Sequence, residues 1–289
     1  MLKLTFSGHE SFHCRNLWLK KGYDFLRENH KFSEPSAVVD LGVGKNMVSS
    51  IDYWMNSFGL AKKNNKFPEI AEYIFGKNGV DPYLEDNASL WLLHYHLITE
   101  NFASIYSIFF NRFRKLQIEF NKNQFANFIK GKCEETNTIF NGNTAKRDIS
   151  VFLRTYIKPH KLTGNIEDIF TGLFIDLSII EPIKKFDEEE IGWYKAENKD
   201  RNEFPAEVLL YSILDNNNYS NSISFEELLI GPNSPGNIFV INSNCLLNKI
   251  NELVSKNKSI TFTDNAGIRE LQLKGNFDKL DVLRRYYEK

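Results

Sequence analysis

Apolar residues return every three or four positions between Asp40 and Leu60, at Leu41, Val43, Met47, Val48, Ile51, Trp54, Met55 and Phe58. That period gathers apolar side chains on one helix face, and Gly42 and Gly44 interrupt it just before Lys45. The pattern predicts a short helix over Ser36–Asp40, a glycine turn, and a second helix opening at Lys45-Asn46. This is the order of a helix-turn-helix, whose second helix meets DNA with its N-terminal end. Lys45, Asn46, Ser49, Ser50 and Asn56 are expected on the outer face, where each can hydrogen-bond to phosphates or base edges. The same pattern also suits a helical hairpin that only packs, its polar positions solvated. A nucleotide phosphate loop does not fit, because Val39 stands where that motif needs its first glycine and Asn46 where it needs Ser or Thr.

The rest of the chain alternates helical patterns with polar turns. A helix is expected from Ser11 to Arg27, with Arg15, Lys20 and Lys21 outward. Ala61–Phe67 (AKKNNKF) reads as a basic wing offering Lys62, Lys63 and Lys66 to phosphate. Further helices are expected over Pro68–Phe75 and Ala88–Thr99, and an aromatic one within 103–120. Asn123–Glu134 and Thr144–Ile157 flank a polar turn and look like a second helix-turn-helix, with Thr144 as its cap. Lys146, Arg147 and Arg154 there serve either as phosphate contacts or as a solvated charged face. Pro159 ends that helix, and Lys184–Phe204 reads as a linker or hairpin. Helices over Pro205–Leu214, Ser224–Leu229, Asn244–Ser255 and Asp281–Tyr287 then interleave with strands at Asn237–Ile241 and Ser259–Thr263.

The fold expected is mainly α with small β wings, as tandem winged-helix or helix-turn-helix-like domains. Boundaries fall at 1–100 for a DNA-binding domain, 101–183 for a helical domain with the second unit, and 184–289 for an α+β domain. With 42% hydrophobic and 14% aromatic residues, 289 positions are enough to pack such cores.

Charge sharpens the picture. A net charge of −1 argues against indiscriminate coating of nucleic acid, but residues 1–165 hold 22 basic against 16 acidic side chains and 166–289 hold 14 against 21. The half with the expected reading helix is the basic one, as a phosphate-facing surface requires. Cys14, Cys133 and Cys245 stand far apart, without zinc-like spacing. A reducing cytoplasm fits them, and no apolar run is long enough to span a bilayer.

Asp81, Glu85, Asp86, His94 and His96 put oxygen and nitrogen ligands within sixteen residues, a composition that suits metal-dependent phosphodiester chemistry with Mg or Mn. Asp81, Glu85 and Asp86 are the catalytic candidates. Against this, His94 and His96 face different ways on one helix, and acids just before a helix complement its dipole. His9 and His13 have ligand-like spacing only if helical, which Gly8 argues against.

Three ordered stretches, FSGHESFHCRNLWLKKGYDFL, LGVGKNMVSSIDYWMNSFGL and DPYLEDNASLWLLHYHL, resemble the N-terminal signature of a bacterial family of unknown function associated with DNA phosphorothioation genes. That family includes the SspB-like component of a modification and phage-defence system. The likeness continues through KRDISVFLRTY and FTDNAGIRELQL, and so spans nearly the whole chain. It implies a cytoplasmic protein acting on double-stranded DNA beside other phosphorothioation or defence proteins, and nicking DNA so that sulfur can be installed. The alternative expectation is a non-enzymatic adaptor whose winged helices hold those partners. Gly8 departs from the family pattern, in which a basic residue is expected before His9.

Overall fold

A computed structural model of the chain describes residues 4–158, 172–184, 192–265 and 267–288. It divides into two compact units, Met1–Ala196 and Glu197–Lys289. Residues 1–100 and 101–183, read from the sequence as separate domains, fall within the first unit. The reason is long-range pairing: Asp148 accepts the Ser7 N–H at 2.9 Å, and Ser104 Oγ accepts that of Thr5 at 2.9 Å.

The first unit begins with α1 (Trp18–Arg27), α2 (Ala37–Leu41), α3 (Lys45–Ser57), α4 (Glu69–Phe75) and α5 (Asn87–Thr99). The helix expected from Ser11 starts only at Trp18. Ser7, Gly8, Glu10 and Ser11 have φ of 71°, 103°, 47° and 68°, which a right-handed helix cannot contain. At Gly8 an added Cβ would lie 2.6 Å from the Tyr53 ring. The basic side chain expected there therefore has no room.

Every residue of α5 from Ala88 to Ile98 is buried, the fate of a helix that is apolar all round. It packs on α6 (Ser104–Ile108), and its His94 meets Phe110 of a π-helical turn (Phe109–Phe113) and Tyr156 of α9 (Gly142–Tyr156); between these lie α7 (Arg114–Leu116) and α8 (Lys122–Glu135). The aromatic segment ends as a helix at Leu116 and turns into strand β1 (Glu119–Asn121). Asn121 and Gln124 then form a reciprocal capping box on α8. Asn141, one turn before Thr144, caps α9 by accepting the N–H groups of Asn143 and Thr144. β1, β2 (Glu181–Ile183) and β3 (Trp193–Lys195) form an antiparallel sheet in the order β1-β3-β2, with Tyr194 opposite both Phe120 and Pro182. Pro159 and residues 185–191 of the expected linker lie outside the described residues.

The second unit runs α10 (Ala206–Asp215), β4 (Ser222–Ser224), α11 (Phe225–Ile230), α12 (Pro235–Ile238), α13 (Ser243–Lys256), β5 (Ile260–Asn265), β6 (Ile268–Leu273) and α14 (Lys279–Tyr287). Its antiparallel sheet has the order β4-β6-β5. The strand expected at Asn237–Ile241 is instead the end of α12 and a buried turn. Ser234 caps that helix with Pro235 at its first position, and a short buried apolar run has no period to tell strand from helix. The chain is thus mainly α with two small antiparallel sheets.

Candidate nucleic-acid interface

α2 closes on Gly42, whose φ of 61° is left-handed, the conformation glycine adopts without strain. Two residues later Gly44 opens α3 with no side-chain cap. A Cβ placed on Gly42 or Gly44 would meet no atom within 4 Å, so the turn stands open. Val48, Ile51, Trp54 and Met55 bury the inner face of α3, while Lys45, Asn46 and Ser49 are exposed on its first turn. Val39, 82% exposed, lies on the preceding helix.

Ser50, expected on this outer face, is fully buried because it falls beside Ile51 and Trp54 on the packed side of the helix. The outer face continues from Lys45 and Ser49 through Asp52 to Asn56, where polarity changes. Asn56 Nδ2 donates to the Asp52 carbonyl at 2.8 Å and to its carboxylate at 3.0 Å. Burial raises the Asp52 carboxyl above its ordinary range, and the Asn56 bond pulls it partly back. On this face the cation Lys45 and the amide of Asn46 stand at the helix tip, where the Ser49 hydroxyl donates to the Lys45 carbonyl at 3.4 Å.

The segment expected as a wing contains a tight reversal. Lys63 and Lys66 exchange backbone hydrogen bonds at 2.9 and 3.0 Å across Asn64 and Asn65, with φ of 52° and 61°. Two left-handed central residues define the hairpin turn whose twist matches paired strands, and Asn is the side-chain-bearing residue that tolerates this best. Lys63 and Lys66 project into solvent, Lys63 with its Nζ 3.6 Å from Glu100. Lys62 does not join them. Its Nζ turns inward to the Leu26 carbonyl at 2.5 Å and lies 5.0 Å from the Phe67 ring centre.

Two further cations are also committed. Lys20 pairs with Asp24 at 2.6 Å, and the Arg15 guanidinium rests 5.2 Å from the Trp18 ring and 5.9 Å from that of Phe12. Lys21, which periodicity placed simply outward, donates to the Leu41 carbonyl at 2.9 Å and so fastens the end of α2. Arg154 reaches the Ser11 carbonyl at 2.6 Å. Counted by compact unit, residues 1–196 hold 25 basic and 24 acidic side chains, and 197–289 hold 11 and 13. The excess read from the first 165 residues is offset by acids between 166 and 196. Attraction for a polyanion thus depends on local placement, not on the charge of a whole unit.

Of the three acids expected to be catalytic, Asp81 and Asp86 accept backbone N–H groups. Asp81 is buried, and its two carboxylate oxygens accept the N–H groups of Glu85 at 2.9 Å and Asp86 at 3.0 Å. Asp86 caps α5 through the Ala88 N–H at 2.7 Å, whereas Glu85 is exposed. His94 Nδ1 lies 3.1 Å from the Tyr156 hydroxyl, with the Phe110 and Phe174 rings edge-on. Among the described residues no three His, Cys, Asp or Glu side chains are grouped to hold a metal ion. Both oxygens of Asp81 and one of Asp86 thus already accept backbone N–H groups, while no such bond holds the exposed Glu85.

Local reading missed Asp148, which lies on α9, far along the chain from the loop it organises. Buried to 3% exposure, it accepts His9 Nε2–H at 2.9 Å as well as the Ser7 N–H. Ser11 N–H donates to His9 Nδ1 at 3.2 Å, so Nε2 is left to carry the proton toward the carboxylate. His9 also stacks on Trp54 of α3, centroids 6.4 Å apart, and Trp54 Nε1 donates to the Phe12 carbonyl at 3.3 Å. The loop bearing FSGHESF is thereby locked against the helix whose tip is exposed. All three cysteines are free and buried.

A family model described as a protein of unknown function (DUF4007) matches residues 6–287. No curated protein matches the chain. Among solved structures, a magnesium ion-bound SspB crystal structure is similar at 26% identity, with a TM-score of 0.86, over 98% of this chain and 88% of that one. A second SspB crystal structure gives 26% identity, a TM-score of 0.85 and the same coverage. The resemblance read from the three ordered motifs is thus upheld across nearly the full length.

Proposed function

We propose, since the chain belongs to the DUF4007 family of proteins of unknown function, that it is the duplex-binding component of an SspB-like, phosphorothioation-type DNA modification and defence system. The first unit offers the tip of α3 to a groove and the Lys63–Lys66 turn to phosphate, as a helix-turn-helix with a short wing. The second unit, with its helices and β4-β6-β5 sheet, reads as another winged helix.

The observation that carries this reading is the open glycine turn with Lys45, Asn46 and Ser49 exposed behind it. Lys45 neutralises a phosphate and Asn46 matches the donor–acceptor pair of an adenine edge. Of the other cations, Lys63 and Lys66 are placed for phosphate, while Arg15, Lys20 and Lys62 support the surface from within.

Titrating duplex binding against salt tests it. Replacing Lys45 and Lys63 together by Ala should lower affinity and flatten the slope of log K against log salt by about 0.9 for each phosphate that is no longer neutralised. An unchanged slope would count against this surface. Absence of duplex affinity at low salt, with co-purification of defence proteins, would favour the adaptor reading.

DNA nicking is the second reading, favoured by the magnesium ion-bound state of one similar structure. With Asp81 and Asp86 engaged in turn and cap bonds, no step is assigned to them or to a metal. Supercoiled plasmid incubated with magnesium or manganese, for wild type and Glu85→Gln, decides it. Nicking abolished by Glu85→Gln would restore the acidic cluster as the centre.

A further inference from the structure

We infer that α13 of the second unit carries a base-reading face of its own, built from Asn244, Asn248 and Asn251. The inference rests on the protein's binding duplex DNA but not on the tip of α3, and it concerns sequence preference, not affinity.

α13 precedes the β5–β6 hairpin and follows two short helices and a strand, with the sheet in the order β4-β6-β5. α12, a turn and α13 stand in helix-turn-helix order, in which the second helix is the one offered to a groove. Cys245, Leu246, Ile250 and Leu253 anchor its inner face. Opposite them Asn244, Asn248, Asn251 and Ser255 are exposed, at steps of four, three and four residues. These steps line them up within a narrow stripe along the axis.

Nothing in the fold selects amides there. Asn is one of the poorer helix formers, and among the described residues no side-chain hydrogen bond engages the amides of Asn244, Asn248 or Asn251. Three amides in a row each offer a donor and an acceptor side by side, the complement of an adenine edge in the major groove.

The single acid on α13, Glu252, is held by Lys249 at 3.5 Å and by Lys256 at 2.5 Å. Beyond the helix end Lys258 and Lys274 are exposed, and the Ser259 carbonyl accepts the Lys274 N–H at 2.8 Å. The stripe itself is thus uncharged, and suited to discriminate bases with little added attraction.

Selection of binding sites from a random duplex library, with the full chain, tests this. Wild type should enrich a motif containing adenine. Asn248→Ala/Asn251→Ala should lose discrimination at the affected positions by on the order of tenfold to a hundredfold, while the salt slope stays unchanged because no charge is removed. Alanine improves helix propensity at both positions, so the double variant is expected to fold, and its circular dichroism checks that. The same motif enriched by the double variant would overturn the inference and leave the stripe as a protein-facing or solvated surface. Equal binding of all duplexes by wild type would also overturn it while sparing the proposed function. A wild type with no duplex affinity removes both.

Discussion

α3 and α5 are both thirteen residues long, yet they are used in opposite ways. α5 is capped by Asp86, preceded by a turn built on Asp81, and buried from Ala88 to Ile98. α3 has glycine in place of a cap, and its first turn faces solvent while Val48, Ile51, Trp54 and Met55 bury its inner face. Acidic residues next to a helix therefore mark the end that is fixed, and the end without them is the one left available. Charge-bearing chemistry in a sequence separates into these two uses only when its hydrogen-bond partners are known.

The contrast between the two helices breaks most visibly in the core. Trp91→Ala in α5 should cost about 3–5 kcal/mol, read from urea denaturation; a loss below about 1 kcal/mol would mean that α5 is not the central helix. Asp148→Ala orphans the Ser7 N–H and the His9 ring, and should cost about 1–3 kcal/mol. It should also loosen the 7–12 loop, seen as faster amide exchange there. Asp86→Ala removes a cap worth about 1 kcal/mol and should leave duplex affinity untouched; a fall in affinity without a fall in stability would give Asp86 a functional role after all. Asn46→Ala is the inverse, with stability kept within about 0.5 kcal/mol and duplex binding weakened.

The smallest effect concerns pH. Asp278 caps α14, and the N–H groups of Asp281 and then Leu280 hold its carboxyl below the usual carboxylate range. A lowered folded pKa means stability that is present above the unfolded value of about 3.9 and lost as pH falls through the folded one. Amide exchange in Lys279–Tyr287 should accelerate only in that acid range, and Asp278→Asn should remove the dependence.

Elements with a strong local signal were legible. The glycine turn between α2 and α3, the helix from Lys45, the buried α5, and the strand from Ile260 all follow from period and punctuation in the sequence. Where local signals were weak, partners decided. The 11–17 stretch reads as the start of the first helix from its apolar spacing, but Asp148, more than a hundred residues away, binds Ser7 and His9 in a loop whose left-handed residues run on to Ser11. Ser50 reads as exposed because it sits beside Ser49, yet one step along a helix turns a side chain by about 100° and buries it.

Residue order was enough to set most of the helices, the glycine-marked start of α3, and the family to which the chain is akin, because these depend on nearest-neighbour sterics and on motifs that survive unfolding. Which cations remain outward was settled by long-range packing instead. Lys62, Lys20 and Arg15 find a carbonyl, a carboxylate and aromatic rings, whereas Lys45 and Lys66 are left exposed. A lysine's role depends on the acceptors within its reach, and those come from parts of the chain that folding brings together.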